Sequence, residues 1–219
     1  MDQPKTKDVT KESKHWNDFY AAFDLAVPSQ FCVMLATEAD KSKPIVEFGC
    51  GNGRDSIYLA RQGFKVFAGD ISTEAITHNS QKTPEKESGA DFSVCDVSVP
   101  DDVVTIINKA RGEQGGPLNL YNRFFLHSLN DEQELVFLTA VMSATKPGDC
   151  LYMECRCSLD AELDKTFKGH FRRYVDTSKL VAMLEDKLEF KVTYETTGQG
   201  MGKYKHEDPI VSRIIAERK

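Results

Sequence analysis

Short apolar runs alternate with amphipathic stretches along most of the chain. The runs 44–48, 64–68, 91–95 and 118–124 are strand-like, and each is followed by a segment whose apolar positions recur every three or four residues. Such alternation is typical of parallel βαβ units. The pattern therefore predicts a doubly wound α/β fold.

The end of the chain departs from this alternation. After a fifth strand at 150–155 and a helix that ends near 184, two apolar runs at 190–196 and 210–216 are separated by a glycine-containing loop. A hairpin is the natural connection, and it makes the last strand antiparallel to the others. We therefore predict a seven-stranded, mostly parallel sheet with a terminal antiparallel hairpin.

Two helix-like segments, 16–24 and 29–39, precede the first strand and are broken at Pro28. The polar stretch 1–14 is predicted to be a disordered tail. We expect one domain over 15–219, in which 15–41 forms a helical lid and 42–219 forms the core.

The composition fits a globular protein of one domain. The 219 residues are 40% hydrophobic and 28% charged, and no apolar run approaches the roughly 20 residues that span a bilayer. The polar start lacks the apolar core of a signal peptide, so we expect a cytoplasmic protein without a membrane partner. The net charge of −6 disfavours a nucleic-acid partner.

The six cysteines do not have metal-binding spacings. No pair is separated by two residues, and Cys155 and Cys157 are too close for a zinc knuckle. We expect reduced thiols in an apolar core and no metal site.

A glycine-rich turn follows the first strand. Glu47 precedes Gly49, Gly51 and Gly53, which permit a tight turn and close approach of a ligand to the backbone. The next helix offers unpaired N–H groups to an anion such as a carboxylate. This GxGxG spacing is one residue shorter than the GxGxxG of nicotinamide enzymes.

Two acidic residues follow the next strands. Asp70 closes the second strand, where a carboxylate can accept both hydroxyls of a ribose, and Asp96 follows the third, where it can accept from an adenine amine. Ligands of open α/β sheets bind beyond the carboxyl ends of the strands. The glycine turn and both acids are therefore predicted to converge on one nucleoside.

This constellation resembles the class I S-adenosylmethionine-dependent methyltransferases over about residues 16–219, most specifically over 45–72. The resemblance implies S-adenosylmethionine as the cofactor and a Rossmann-like methyltransferase fold. Arg54 is interpreted either as a ligand of the donor's methionine end or as an exposed residue beside Asp55. Arg123, unusual in an apolar strand, should have a carboxylate partner. The candidate cofactor contacts are Glu47, Gly49, Gly51, Gly53, Arg54, Asp70, Ile71, Asp96, Val97 and Arg123.

Candidates that face the methyl acceptor follow the fourth and fifth strands. Similar methyltransferases carry a histidine soon after the fourth strand, which makes His127 a candidate base or acceptor ligand. Glu154 and Arg156 alternate in the fifth strand and should point the same way. These three are the candidate catalytic residues, and a turn-capping role for His127 stays open.

A basic cluster with interleaved aromatics stands out in an acidic chain. His170, Arg172 and Arg173 are candidate ligands of an anionic group, because guanidinium forks match carboxylate and phosphate oxygens. A solvated surface is the plain alternative. Tyr204, in the basic loop 198–206, and Tyr20, in the lid, complete the candidate substrate-binding residues.

These observations predict methyl transfer to a small anionic or sugar-containing acceptor, at oxygen. Elements such as the HFRRY run resemble small methyltransferases associated with surface-glycan synthesis, so a glycan acceptor is included. A protein or RNA acceptor and a non-catalytic adenosylmethionine-binding protein are the alternatives, and the glycine spacing disfavours a nicotinamide oxidoreductase. The sequence indicates no oligomeric state.

Overall fold

The computed structural model describes residues 11–22, 25–82, 89–113, 115–166 and 171–219. Helices and strands alternate through them as the hydrophobic pattern predicts. The helices are α1 (Lys11–Ala22), α2 (Gln30–Glu38), α3 (Arg54–Arg61), α4 (Thr73–Lys82), α5 (Pro100–Arg111), α6 (Asp131–Ala144) and α7 (Thr177–Asp186). The strands are β1 (Ile45–Phe48), β2 (Val66–Asp70), β3 (Ala90–Val94), β4 (Asn119–Arg123), β5 (Cys150–Arg156), β6 (Phe190–Gly198) and β7 (Val211–Arg218).

The seven strands form one sheet in the order β3-β2-β1-β4-β5-β7-β6. Strands β1 to β5 are parallel, whereas β7 is antiparallel to both β5 and β6. The predicted fold class is therefore confirmed, including the terminal hairpin. The chain reverses its direction of winding between β1 and β4, which places the switch point of the sheet beside the glycine turn.

Alternate residues of each central strand face different cores. Val46 and Leu120 pack with α5, α6 and α7 on one face, while Ile45 and Tyr121 pack with α2, α3 and α4 on the other. Because both faces are covered, most residues of the central strands are apolar. Apart from Asn119 at the start of β4, their polar residues lie towards the carboxyl ends, where they mark the candidate site.

The N-terminal region begins its helix earlier than its sequence suggests. Helix α1 starts at Lys11, inside the stretch 1–14 for which a disordered tail is predicted, and residues 1–10 lie outside the described ranges. Helix α2 is capped by the Ser29 side chain, which accepts the Cys32 N–H at 3.1 Å. Among the described segments, no helix combines the length and apolarity that crossing a membrane requires.

Candidate functional site

The turn after β1 depends on its glycines. Gly49, Gly51 and Gly53 have φ of +72°, +52° and +74°, a region that other residues rarely adopt. A side chain at Gly49 would also bring its Cβ within 3.2 Å of the Cβ of Phe125. The turn therefore leaves backbone, rather than side chains, facing the switch point.

Asp70 connects the turn to the end of β2. Its two carboxylate oxygens accept the N–H groups of Gly51 at 2.8 Å and of Ser72 at 2.9 Å. Burial raises the pKa of Asp70 above its ordinary value, although these backbone hydrogen bonds oppose the rise. A carboxylate has about four acceptor positions, so Asp70 can still accept from a ligand hydroxyl.

Asp70 and Asp96 line the same narrow groove, of about 80 Å³, together with Gly49, Ile71 and Val97. Asp96 accepts the N–H of Ser98 at 3.0 Å, which orients its carboxylate. A groove with two carboxylates and a side-chain-free turn fits the hydroxyls, amine and flat base of an adenosine. The predicted convergence of turn and acids is thus present in the fold.

Glu47 lies under the turn and is 4% exposed. Burial and the neighbouring Asp55 raise the pKa of Glu47 well above its ordinary value, and a short hydrogen bond from Ser56 opposes the rise. An ammonium group bound beside this carboxylate would favour its ionised form. Glu47 therefore suits the α-ammonium of a methionine moiety.

Next to the narrow groove lies a large cavity of about 450 Å³. Trp16, Tyr20, Gly49 and Phe124 line both spaces and so mark their junction. Among the described residues of the cavity lining, the guanidinium and ammonium groups belong to Arg54, Arg123, Arg156, Arg172 and Lys203. The lining of the large cavity is therefore rich in cations, although the whole chain is acidic.

Several polar contacts join the predicted lid to the core. The Asn17 side chain of α1 accepts the Ser72 hydroxyl at 2.7 Å. Asp55 accepts the backbone N–H and the hydroxyl of Ser29, both at 2.7 Å, and the hydroxyl of Tyr121 at 2.8 Å. Asp55 thus joins α2, α3 and β4 and has a structural role, while Arg54 donates to the Val27 carbonyl at 3.2 Å in the cavity lining.

Phe124 stands at the junction in an uncommon conformation. Its φ of +53° lies in the left-handed region, which is rare for an aromatic residue and is often found at functional sites. The guanidinium carbons of Arg123 and Arg156 lie 4.0 and 5.2 Å from its ring centroid. These contacts place two cations beside the passage between the two spaces.

Both guanidiniums are held by buried carboxylates. Arg123 Nε donates to Glu154 at 2.8 Å, and the second oxygen of Glu154 accepts from Arg213 at 2.7 Å. Arg156 pairs with Asp160 at 2.7 Å and, through a short contact, with Glu207. Glu154 is fully buried and supports the cavity wall from behind, whereas Arg156 reaches the lining itself.

His127 follows β4 in a short 3₁₀ turn and lines the large cavity. Its Nδ1 accepts the backbone N–H of Arg156 at 3.4 Å. A neutral imidazole with Nδ1 as an acceptor carries its proton on Nε2. In this arrangement His127 is a hydrogen-bond donor at Nε2.

The two neighbouring arginines of the basic cluster take different directions. Arg172 lines the large cavity, whereas Arg173 pairs with Asp131 at 2.6 Å and with the buried Glu134 of α6. His170 lies outside the described residues. Tyr204 and Tyr20 both line the cavity, from the loop between β6 and β7 and from the lid respectively.

Several contributors escape reasoning from sequence. Asn79 of α4 donates to the Gly51 carbonyl at 2.8 Å and supports the turn from 28 residues away. Phe124 reads as an ordinary strand residue, and Lys203 as one charge in a basic loop. The helical position of Asn79, on the buried side with Ala75 and Ile76, is the one signal that marks it as unusual.

Comparison with known proteins bears on the fold and on the class of enzyme. Residues 45–108, from β1 through most of α5, match a family model described as "Methyltransferase domain". No curated protein matches the sequence. The matched segment contains the glycine turn, Asp70 and Asp96.

Solved structures extend the likeness to nearly the whole chain. A SAM-dependent methyltransferase from Anabaena variabilis ATCC 29413 aligns with a TM-score of 0.69 and 16% identity over 94% of this chain and 93% of that one. The glycopeptide N-methyltransferase MtfA complexed with S-adenosylmethionine gives 0.65 and 14% over 90% and 96%. Magnesium protoporphyrin IX methyltransferase from Synechocystis PCC 6803 gives 0.61 and 16% over 100% and 90%.

At these identities the structures show the shared fold, and the match to a methyltransferase domain supports the chemistry. The predicted methyltransferase class and its cofactor, S-adenosylmethionine, are confirmed. The roles of individual site residues stay predictions.

Proposed function

We propose that this chain, a class I S-adenosylmethionine-dependent methyltransferase by its domain and its fold, methylates a small anionic or sugar-containing acceptor at oxygen. One observation carries the proposal: the groove suited to adenosine opens, at Phe124, into a cavity whose lining includes five cationic side chains. Arginine is well suited to bind carboxylate and phosphate oxygens. Small methyltransferases of surface-glycan synthesis, which the sequence resembles, are consistent with such an acceptor.

The donor would be held by the residues around the glycine turn. We infer that Asp70 accepts from the ribose hydroxyls, that Asp96 accepts from the adenine amine and that Ile71 and Val97 flank the base. Glu47 and Arg54 complement the ammonium and carboxylate of the methionine end. When bound, the cofactor supplies a methyl group on a positively charged sulfur.

The chain contributes positioning and exclusion of water. Trp16 and Tyr20 close the junction from the lid side, and Phe124 closes it from the sheet side. A desolvated, correctly oriented acceptor needs little further activation to attack a sulfonium. We infer that Tyr204, Arg172 and His127, which also line the large cavity, bind the acceptor.

The test is a transfer assay with the purified chain and S-adenosylmethionine, reading out S-adenosylhomocysteine. Sugar phosphates and uronic acids are offered beside peptides and RNA. We expect turnover with the anionic sugars. Turnover with peptide or RNA alone would contradict the acceptor class, and donor binding without turnover on any class would favour a non-catalytic binding protein. The cytoplasmic location also stays a prediction.

A further inference from the structure

Arg123, in the lining of the large cavity, has N–H groups that are not used in hydrogen bonds within the described residues. Of the five N–H groups of Arg123, only the one on Nε has a hydrogen-bond partner among the described residues, the carboxylate of Glu154. The side chain is 13% exposed and lines the large cavity. Its two Nη groups are therefore available to a ligand in that cavity.

The charge of Arg123 is only partly compensated. Glu154 is shared, since its other oxygen accepts from Arg213, so two guanidiniums rest on one carboxylate. Burial works against the charge, but Glu154 raises the pKa of Arg123 above its ordinary value. The group of Arg123, Arg213 and Glu154 thus carries one net positive charge, and its Arg123 lies against the Phe124 ring, where the two spaces meet.

The carboxylates of the described cavity lining are engaged elsewhere. Asp55 accepts from Ser29 and Tyr121, and Glu47 accepts from Ser56. Glu207 pairs with Arg156 and accepts the Thr166 N–H at 2.7 Å. The Nδ1 of His127 also accepts a hydrogen bond. The described lining therefore presents hydrogen-bond donors and cations, and not a general base, to the methyl acceptor.

We propose that Arg123, with Arg172, binds an oxyanion of the acceptor itself beside the transferring methyl, and that this carboxylate or phosphate oxygen is the atom methylated. This deepens the proposed function, and it assigns Arg123 to the acceptor instead of the donor contact predicted from the sequence. An amine acceptor would be repelled at this position in its protonated form.

The transfer then needs no base. A lone pair of the oxyanion forms the O–C bond while the S–C bond breaks, and the electron pair of that bond stays on sulfur. The negative charge of the acceptor and the positive charge of the sulfonium cancel, and no proton moves. The product is a methyl ester.

The test measures ligand binding in saturating S-adenosylhomocysteine, by titration followed by NMR. Benzoate and phenyl phosphate are compared with neutral benzamide, because the aromatic lining accepts a ring and the three probes differ in charge. We expect both anions to bind about tenfold more tightly than benzamide, as charge-assisted hydrogen bonds suggest. Preference for one anion distinguishes a carboxylate acceptor from a phosphate acceptor.

Variants locate the effect. Arg123→Gln leaves Glu154 paired with Arg213, so the fold should survive, and the preference for anions should fall about tenfold. Arg172→Gln is the second variant. Lys191→Gln removes one exposed charge near the amino end of the edge strand β6 and should change nothing. The affinity for S-adenosylhomocysteine should be the same in all four proteins.

Three results would overturn the inference. They are equal or absent binding of anions and benzamide, an unchanged preference in both arginine variants, and loss of S-adenosylhomocysteine affinity in Arg123→Gln. A second measurement follows label from the methyl of S-adenosylmethionine: we expect slow esterification of the anions that bind, and label on benzamide or on neither anion counts against direct methylation. If the wild-type chain fails to bind S-adenosylhomocysteine at all, the proposed function itself has failed.

Discussion

Asp70 stabilises the glycine turn by accepting the Gly51 N–H. In the proposed function the same carboxylate also accepts from the ribose hydroxyls. We predict that Asp70→Ala weakens the binding of S-adenosylmethionine by about 2 kcal/mol, because a hydrogen-bonded charge is lost. Calorimetric titration measures this, with Glu195→Ala on the exposed edge strand as the control. Unchanged affinity would remove Asp70 from the ribose site.

We expect Glu47 to lower the stability of the ligand-free chain at neutral pH and to strengthen the binding of the donor. Its pKa in the folded chain is raised above the ordinary 4.5, so the stability it contributes at low pH is lost as the pH rises through that raised value. Glu47→Gln avoids this loss. We predict a ligand-free variant with a Tm about 2–4 °C higher at pH 8, with the advantage vanishing near pH 4, and with weaker donor binding. A variant that is less stable than the wild type at pH 8 would contradict the assigned cause.

Arg172 and Arg173 are adjacent in sequence and opposite in role. Removing Arg173 leaves the buried Glu134 without its guanidinium, so Arg173→Ala should cost about 2 kcal/mol of unfolding free energy. Arg172→Ala should cost less unfolding free energy than Arg173→Ala and should impair acceptor binding. Thermal unfolding of the two variants separates these effects. Equal stability of both would mean that the Arg173 ion pair contributes nothing.

At the scale of elements, the helix α1 of the predicted lid contacts the body through Asn17, which accepts the Ser72 hydroxyl. Its aromatic residues Trp16 and Tyr20 line both the narrow groove and the large cavity. We predict that S-adenosylmethionine slows amide hydrogen exchange across α1, because a bound donor would pack against these rings. Asn17→Ala should speed exchange there in the ligand-free chain while α6 stays protected. If the rate of amide exchange in α1 is the same with and without S-adenosylmethionine, α1 does not act as a lid over the donor.

Sequence patterns predict elements well here because the central strands are apolar on both faces. Strand β1 and helix α6 appear where the periodicity places them, and Asn130 caps α6 in a capping box with Gln133. The start of α1 is harder to predict, because residues 11–14 are polar and give no apolar signal. The first residue of α1 is therefore determined by tertiary contacts and not by the sequence pattern.

At the scale of the whole molecule, the donor side of the site is readable from sequence and the acceptor side is not. The glycines directly follow β1 and Asp70 ends β2, so their positions in the fold follow from the positions of these strands in the sequence. Arg123 meets Glu154 across the sheet and Phe124 meets Gly202 from a distant loop, and no sequence spacing records such contacts. The lining of the large cavity is therefore formed by elements that are distant in sequence: β4, β5, the predicted lid and the last hairpin.

The central claim is that one turn and two strand-end carboxylates bind an adenosine-bearing sulfonium. Calorimetric titration of the purified chain with S-adenosylmethionine and, separately, with NAD tests it most directly. The account predicts saturable binding of S-adenosylmethionine and none of NAD. Binding of NAD without any signal from S-adenosylmethionine would contradict it.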